Sequence, residues 1–209
     1  MMKIDSVASR PDRVGRHVVR FDDGSTMRLY RQTIEDFTLY AGQELSDAQM
    51  EELSEAAGAM SAKMRAVRIV AATNVSRKDL EDRLIRKGES PEQAQAATQW
   101  MTDMQLLDDQ KTAEIVVQRC IRKGYGLARA KQALYEAKIP KEYWEDAIVD
   151  YPDQSDAIRD FLSNRIHLGA TEKDIKKAVD ALLRRGHSYA TIRSILNGMS
   201  FDSDMFPEE

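Results

Sequence analysis

The stretch Arg122-Lys123-Gly124-Tyr125-Gly126-Leu127-Ala128-Arg129 decides the fold, because two glycines here interrupt a long run of helical patterning. Glycine lets a chain reverse through positive φ without a steric penalty. The stretch therefore predicts the end of one helix, a tight turn and the start of the next helix. Four basic residues flank this turn, namely Arg122, Lys123, Arg129 and Lys131.

The helix that follows this turn recurs along the chain. Its Ala130 and Leu134 match apolar residues 50 positions earlier and 48 positions later, which are Leu80 and Leu84 and then Ala178 and Leu182. The helix after each copy matches too, through Ala94 and Ala97, Trp144 and Ala147, and Ile192 and Ile195. A fixed period signals repeat architecture. The alternative is one irregular helical globule whose spacings coincide by chance.

The pattern predicts an all-α protein of three tandem three-helix repeats, which stack into an elongated, curved solenoid. A small N-terminal region precedes them, with a β-hairpin around Asp23-Gly24. A helix over 31–40 follows, and Ser46 is the expected N-cap of the next. The third repeat turns at Leu168-Gly169. The expected boundaries are 1–53 for the N-terminal region, 54–107, 108–152 and 153–199 for the repeats, and 200–209 for an acidic tail.

Charge is distributed unevenly along the 209 residues. The net charge of −4 excludes a globally basic nucleic-acid binder. Residues 61–135 nevertheless carry 14 basic and 9 acidic side chains, between two acidic ends. This asymmetry suggests an anionic partner for the middle of the chain, although a solvated helix surface would also explain it.

No motif in the chain indicates catalysis, a cofactor or a metal site. Gly124-Tyr125-Gly126 lacks the strand and the third glycine of a dinucleotide fingerprint. The lone cysteine, Cys120, sits at helical spacing among apolar residues and excludes a disulfide framework. The sequence predicts neither a signal peptide nor a membrane-spanning segment. We therefore expect a cytoplasmic, monomeric protein that is not an enzyme and has no membrane partner.

Clusters of basic residues indicate a function more clearly than any catalytic, cofactor or metal motif in the chain. Residues three and four apart share a helix face, and three such clusters occur. The candidate partner-binding residues are Arg83, Arg86, Lys87, Arg119, Arg122, Lys123, Tyr125, Arg129, Lys131, Lys173, Lys176 and Lys177. A basic track of this kind fits phosphate or an acidic protein groove. Ordinary solvation of exposed helices is the competing interpretation.

Three stretches resemble the RecX family. Asp108-Asp109, Lys123-Gly124-Tyr125-Gly126, Arg129 and Leu134 are similar to its middle repeat. Arg185-Gly186-His187-Ser188-Tyr189-Ala190-Thr191-Ile192 is similar to its final repeat, and Gly42-Gln43-Glu44-Leu45-Ser46 to its N-terminal extension. The resemblance implies tandem three-helix repeats that bind the RecA recombinase filament on single-stranded DNA. Such a protein modulates the filament, usually by inhibition, in recombination and the SOS response.

Two positions depart from the family pattern. Thr112 replaces a common aromatic residue, and Lys138 replaces a common glycine. Two other functions fit the residues alone. One is a helical adaptor for a protein unrelated to RecA, and the other is a DNA-binding module with helix-turn-helix-like pairs. If the resemblance to the RecX family holds, single-stranded DNA is a further candidate partner.

Overall fold

The computed structural model describes residues 1–167 and 170–199. These residues form ten α-helices and four β-strands. The expected turn at Leu168-Gly169 and the expected acidic tail, 200–209, lie outside the described residues. The chain divides into two compact units between Leu107 and Asp108. The predicted fold class is confirmed, since the protein is mostly helical with a small antiparallel sheet at its N-terminus.

The sheet is larger than the predicted hairpin. The hairpin itself is confirmed, as β2 (Arg16–Phe21) pairs with β3 (Thr26–Tyr30) in antiparallel register. Two further strands, β1 (Met2–Val7) and β4 (Glu44–Leu45), extend the sheet in the order β3-β2-β1-β4. The sheet buries its apolar face against the helices that follow, because a lone hairpin is marginal in water.

Helix α1 (Arg31–Asp36) is shorter than expected, and the long helix α2 (Asp47–Ala72) follows β4. Ser46 caps α2 as predicted, in a capping box with Gln49. Helix α2 runs unbroken through positions 53–54, where we expected a domain boundary. Its Leu53 belongs to the core under the sheet, whereas Ala62 and Ala66 belong to the first helical core. Helix α2 therefore contributes side chains both to the core under the sheet and to the first helical core.

Helices α3 (Arg77–Arg86) and α4 (Pro91–Asp103) complete the first unit. Ser76 and Ser90 cap them, and Pro91 occupies the first turn of α4, where its missing N–H costs nothing. The predicted repeat positions Leu80, Leu84, Ala94 and Ala97 are all buried in one core with α2.

The second unit contains the remaining helices in two groups of three. The first group is α5 (Asp109–Arg122), α6 (Leu127–Glu136) and α7 (Trp144–Ile148), the last preceded by a 3-10 turn over Lys141–Tyr143. The second group is α8 (Ser155–Ser163), α9 (Glu172–Arg184) and α10 (Tyr189–Gly198). Each group has its own core. The matched positions Ala130, Leu134, Ala178 and Leu182 are at most 2% exposed.

Each second helix of a group ends in a residue with positive φ. Gly88 and Gly186 hold two of these positions, at φ 93° and 84°. Lys138 holds the third, at φ 55°. A non-glycine residue is strained in this left-handed region because its Cβ approaches the following carbonyl oxygen. The departure at Lys138 therefore costs stability without changing the backbone path.

We expect Lys138→Gly to raise the free energy of unfolding by about 1 kcal/mol, because it relieves this strain. Urea denaturation followed by circular dichroism measures the change. Gln132→Gly, inside α6, is the matched control and should lower stability by a similar amount, since glycine weakens a helix interior. An equal loss in both variants would contradict the explanation.

Candidate functional site

The Gly124–Gly126 turn joins the two groups of helices in the second unit, and we call this contact the joint. The backbone N–H of Gly126 donates to the carbonyl of Arg185 at 2.9 Å, and the N–H of Ala128 donates to that of Gly186 at 3.3 Å. The free N–H groups at the start of α6 thus meet carbonyls at the end of α9, so each helix end satisfies the other.

Two glycines permit this approach. A Cβ placed on Gly126 would overlap the carbonyl of Gly186, and a Cβ placed on Gly186 would overlap the backbone of Arg129. Gly186 also needs glycine for its positive φ, whereas Gly126 has an ordinary φ of −76°. At Gly126 the requirement is therefore close backbone packing alone.

Two side chains lock the same joint. The Tyr151 hydroxyl donates to the Tyr125 carbonyl at 2.6 Å. Burial raises the pKa of Tyr151 to about 12, with a smaller contribution from Cys120. The Nε2–H of His187 donates to the Gly124 carbonyl at 3.1 Å from the turn between α9 and α10. Every carbonyl of the Gly124-Tyr125-Gly126 turn therefore accepts a hydrogen bond within the protein.

His187 is buried in this contact, with only 7% of its surface exposed. Burial lowers its pKa, the hydrogen bond to Gly124 opposes that shift, and the nearby Arg185 lowers the pKa further. The folded protein thus binds a proton at this site less readily than the unfolded chain does.

Stability should consequently fall as pH drops below about 6.5, the ordinary pKa of histidine, and level off below the folded pKa. The slope from one proton is at most about 1.4 kcal/mol per pH unit. Urea denaturation between pH 5 and 8 measures it. His187→Gln should flatten the profile in this window. A profile unchanged by His187→Gln would contradict the assignment.

Cations and aromatic rings gather around the joint. The ammonium of Lys123 lies 5.9 Å from the centroid of the Tyr125 ring. The guanidinium groups of Arg165 and Arg185 lie 4.5 and 4.8 Å from the centroid of Phe161. We call this surface the joint patch, and it comprises Arg119, Arg122, Lys123, Tyr125, Phe161, Arg165 and Arg185.

The two halves of the joint patch are adjacent. Ala157 of α8 lies 4.0 Å from the position of a Cβ on Gly124, and Phe161 follows Ala157 by one helical turn on the same face. The backbone carbonyl of Arg185 accepts a hydrogen bond from the N–H of Gly126, which holds Arg185 beside the turn. Cations from both groups of helices therefore surround one turn.

The pKa of the Cys120 thiol depends on burial and on nearby positive charges. Burial raises the pKa of its thiol, while Arg129, Lys123 and Arg119 oppose the shift through their positive charges. The positive charges of these three residues therefore favour the ionised form of the thiol. Arg119 and Lys123 lie at the end of α5, and Arg129 lies in the first turn of α6.

Of the cations near the joint, one is paired with a carboxylate, while those of the joint patch show no such pair within the described residues. Among the residues that the structure describes, no carboxylate pairs with Arg119, Arg122, Lys123, Arg165 or Arg185. Arg129, by contrast, forms a double contact with Glu136 at 3.0 and 3.3 Å. Its charge is thereby partly neutralised, and we leave it out of the patch.

The other predicted site residues lie elsewhere. Arg83, Arg86 and Lys87 end α3 in the first unit, where Arg83 pairs with Asp79 at 2.8 Å. Lys173, Lys176 and Lys177 lie in the first half of α9, and Lys177 pairs with Asp174 at 3.6 Å. The three clusters thus occupy different positions within their helix groups.

Lys131 lines an open groove of about 600 Å³ beside the joint, together with the start of α6, residues 151–154 and the turn before α10. The residue is exposed. It therefore adds a positive charge next to the joint patch without being part of it.

Three residues of the joint patch were missed by the sequence analysis. Phe161 lies on α8 and Arg165 lies two residues beyond its end, and their separation of four residues could have indicated their contact. Arg185 comes from another helix, and no local pattern links it to Phe161. Only the packing of the second group against the Gly124–Gly126 turn brings it there.

Other kinds of site are not visible in the described ranges. Within residues 1–167 and 170–199, no group of three or more His, Cys, Asp or Glu side chains could hold a metal ion. None of the helices described there has the length and apolar character that crossing a membrane would require.

Solved structures with a similar fold are RecX proteins. A crystal structure of a regulatory protein RecX matches 94% of this chain and 100% of its own with a TM-score of 0.66, at 19% identity. RecX from Lactobacillus salivarius matches 69% of this chain and 97% of its own with a TM-score of 0.59, at 22% identity. At these identities the likeness establishes the fold.

Sequence relatives carry the same description, although no protein-family model matches the chain. The regulatory protein RecX of Halorhodospira halophila is 28% identical over 159 residues, which are 72% of this chain and 97% of the relative. That of Xanthomonas axonopodis pv. citri is 31% identical over 133 residues, which are 62% of this chain and 82% of the relative. With this identity over most of a RecX protein, and a RecX-like fold, the chain belongs to the RecX family.

Proposed function

We propose that this protein binds the RecA recombinase filament on single-stranded DNA and inhibits its ATPase and strand-exchange activities. It acts without catalysis, as a cytoplasmic regulator of recombinational repair and the SOS response. The observation that carries the proposal is the joint patch, whose five cations have no ion-pair partner among the described residues.

Like charges at close range repel one another, so an unneutralised group of cations favours an anionic partner. Arg165 and Arg185 both lie within 5 Å of one ring centroid. Stacking on an aromatic face orients a guanidinium and leaves its N–H groups able to bind a carboxylate or phosphate. The patch therefore suits a filament that presents both acidic protein groups and DNA phosphates.

The net charge of −4 favours a filament over free duplex DNA. A globally acidic protein is repelled by phosphate everywhere except at a local basic patch. Stable binding then requires a partner that also supplies protein contacts. Single-stranded DNA alone is expected to bind weakly and with a strong salt dependence.

The test is the effect of the full chain on DNA-dependent ATP hydrolysis by RecA. We expect the rate to fall in proportion to bound protein, and the protein to sediment with RecA on single-stranded DNA more strongly than with RecA alone. Equal sedimentation with both, together with an unchanged hydrolysis rate, would favour an adaptor for another protein. Strong binding to duplex DNA without RecA would favour the DNA-binding module.

A further inference from the structure

The sheet of the first unit has an open edge at β3. In the order β3-β2-β1-β4, the described residues place a strand on only one side of β3. The N–H of Phe21 donates to the carbonyl of Ser25 at 3.0 Å, and hydrogen-bonded pairs alternate with non-bonded pairs along an antiparallel ladder. Counted from this bond, Thr26 and Arg28 are the residues of β3 whose N–H and C=O groups point away from β2.

The outward backbone groups of Thr26 and Arg28 have no hydrogen-bond partner within residues 1–167 and 170–199. Both residues are exposed, so water solvates these groups. A row of unpaired donors and acceptors on an edge strand is a template for another strand. Each of the two residues offers one donor and one acceptor to such a strand.

The outer face of the sheet beside this edge is basic. Val19 and Leu29 are 0% and 1% exposed on the core face, so the alternating side chains of Arg20 and Arg28 lie on the opposite face. Arg20 pairs with Thr26 in the register, which makes Arg20 and Arg28 diagonal neighbours. The Cβ atoms of such neighbours lie about 7 Å apart, so the two positive charges repel each other.

Neither of these two arginines has a carboxylate partner in the part of the chain that the structure describes. Arg16, farther along β2, differs because it pairs with Asp12 at 2.9 Å. The carboxylates of the hairpin turn are engaged as well, since Asp22 and Asp23 accept backbone N–H groups at 3.1 and 2.8 Å. The outer face at the β3 edge therefore retains positive charge that the described residues do not neutralise.

Charge also decides which kind of strand fits this edge. A charged side chain on an edge strand protects a sheet from pairing with a copy of itself. Arg28 has this effect, because a second β3 would bring another basic face beside the first. The same charge attracts an acidic strand. Met27, half-buried on the core face, offers an apolar contact to the alternate residues of that strand.

We propose that β3 binds an extended acidic segment of a partner protein, which adds to the sheet as a fifth, antiparallel strand. Acidic side chains of the segment lie beside Arg28 on the outer face, with Arg20 behind it. Apolar side chains alternate with them and lie beside Met27. This surface is independent of the joint patch, since β3 belongs to the first unit and the joint patch to the second.

NMR titration of the full chain with a synthetic peptide of alternating glutamate and valine tests the proposal. Paired residues share a face, so the residue opposite Arg28 is a glutamate, and its N–H bonds to β3. N-methylation of the glutamates should therefore weaken binding at least about tenfold, whereas N-methylation of the valines should leave binding unchanged. With the unmodified peptide, the amide signals of Thr26 and Arg28 should move most.

Substitution of the edge arginine tests the role of charge. Arg28→Glu should weaken binding of the unmodified peptide at least about threefold. Arg31→Glu is the matched control, because Arg31 is exposed on α1 and already pairs with Glu35 at 2.7 Å, and it should change binding less. A peptide with lysine in place of glutamate should not bind.

Five results would overturn the proposal. Unmoved amide signals with the glutamate peptide would show that the edge is closed to it, and equal binding of the two N-methylated peptides would exclude strand addition. Equal binding of the lysine peptide would exclude selection by charge. Signals of Thr26 and Arg28 that depend on protein concentration without peptide would identify a second copy as the occupant. Larger shifts with a single-stranded oligonucleotide would assign the surface to phosphate.

Discussion

Gly126→Ala is expected to lower the free energy of unfolding by about 3 kcal/mol. A Cβ at this position overlaps the Gly186 carbonyl, and a backbone atom cannot move aside as a side-chain end can. The N-cap position of α6 also favours glycine over alanine. The two helix groups of the second unit must then separate or strain.

Gly198→Ala is the matched control, since no atom lies within 4 Å of a Cβ there. It should leave stability nearly unchanged or raise it slightly, because alanine favours helix. Urea denaturation of both variants measures the difference. Equal stability of Gly126→Ala and Gly198→Ala would show that the close approach at the joint contributes nothing.

A second pair separates backbone strain from contact. Gly186→Ala and Gly88→Ala both place alanine at positive φ, but only Gly186 has a close neighbour, the backbone of Arg129. Gly88→Ala should cost about 1 kcal/mol from strain alone. The excess cost of Gly186→Ala then measures the joint itself, and its absence would remove the steric explanation.

Charge reversal of the joint patch should weaken binding to RecA filaments at least about tenfold. The variant combines Arg119→Glu, Arg122→Glu and Lys123→Glu, three exposed residues in the last turn of α5 and its cap. Each exposed charge contact contributes roughly 0.2–1 kcal/mol, and reversal replaces attraction by repulsion. Filament binding in increasing salt is the measurement, and the variant should show a flatter salt dependence.

The matched control reverses an equal number of charges in the other predicted cluster of this unit. It combines Lys173→Glu, Lys176→Glu and Lys177→Glu, which lie in the first half of α9 and outside the joint patch. We expect a smaller loss of filament binding from this control. A larger loss would transfer the binding site to α9, and an equal loss would reduce the joint patch to a general charge effect. Circular dichroism confirms that both variants fold.

The helical part of the fold could be predicted from local signals. Helix starts are indicated by the capping residues Ser46, Ser76 and Ser90. The 48- and 50-residue periods identify the core positions Leu84, Leu134 and Leu182, which are all at most 1% exposed. Such signals work because caps and apolar spacing act within one helix. The strand β4 has two residues, too few for any pattern, and β1 pairs with β2 only through long-range contacts.

The candidate site was less accessible to sequence reasoning. Arg119, Arg122 and Lys123 share one helix face and could be found. The pairing of Arg129 with Glu136 spans seven residues, beyond the usual helical neighbours, and changes the availability of a residue that we had selected. The contact of Arg185 with Phe161 joins different helices. Sequence spacing identifies charges on one helix, but not the charges that tertiary packing adds or neutralises.

The meeting of α6 and α9 at their backbone ends also bears on the entropy of association. Backbone atoms in direct hydrogen bonds have no rotamers to select, and Tyr151 and His187 hold the same turn from two sides. A partner that contacts both helix groups of this unit therefore loses little conformational freedom in ordering them. The joint therefore fixes the spacing between the binding residues of the two helix groups. This favours a partner whose own binding groups lie at a matching spacing.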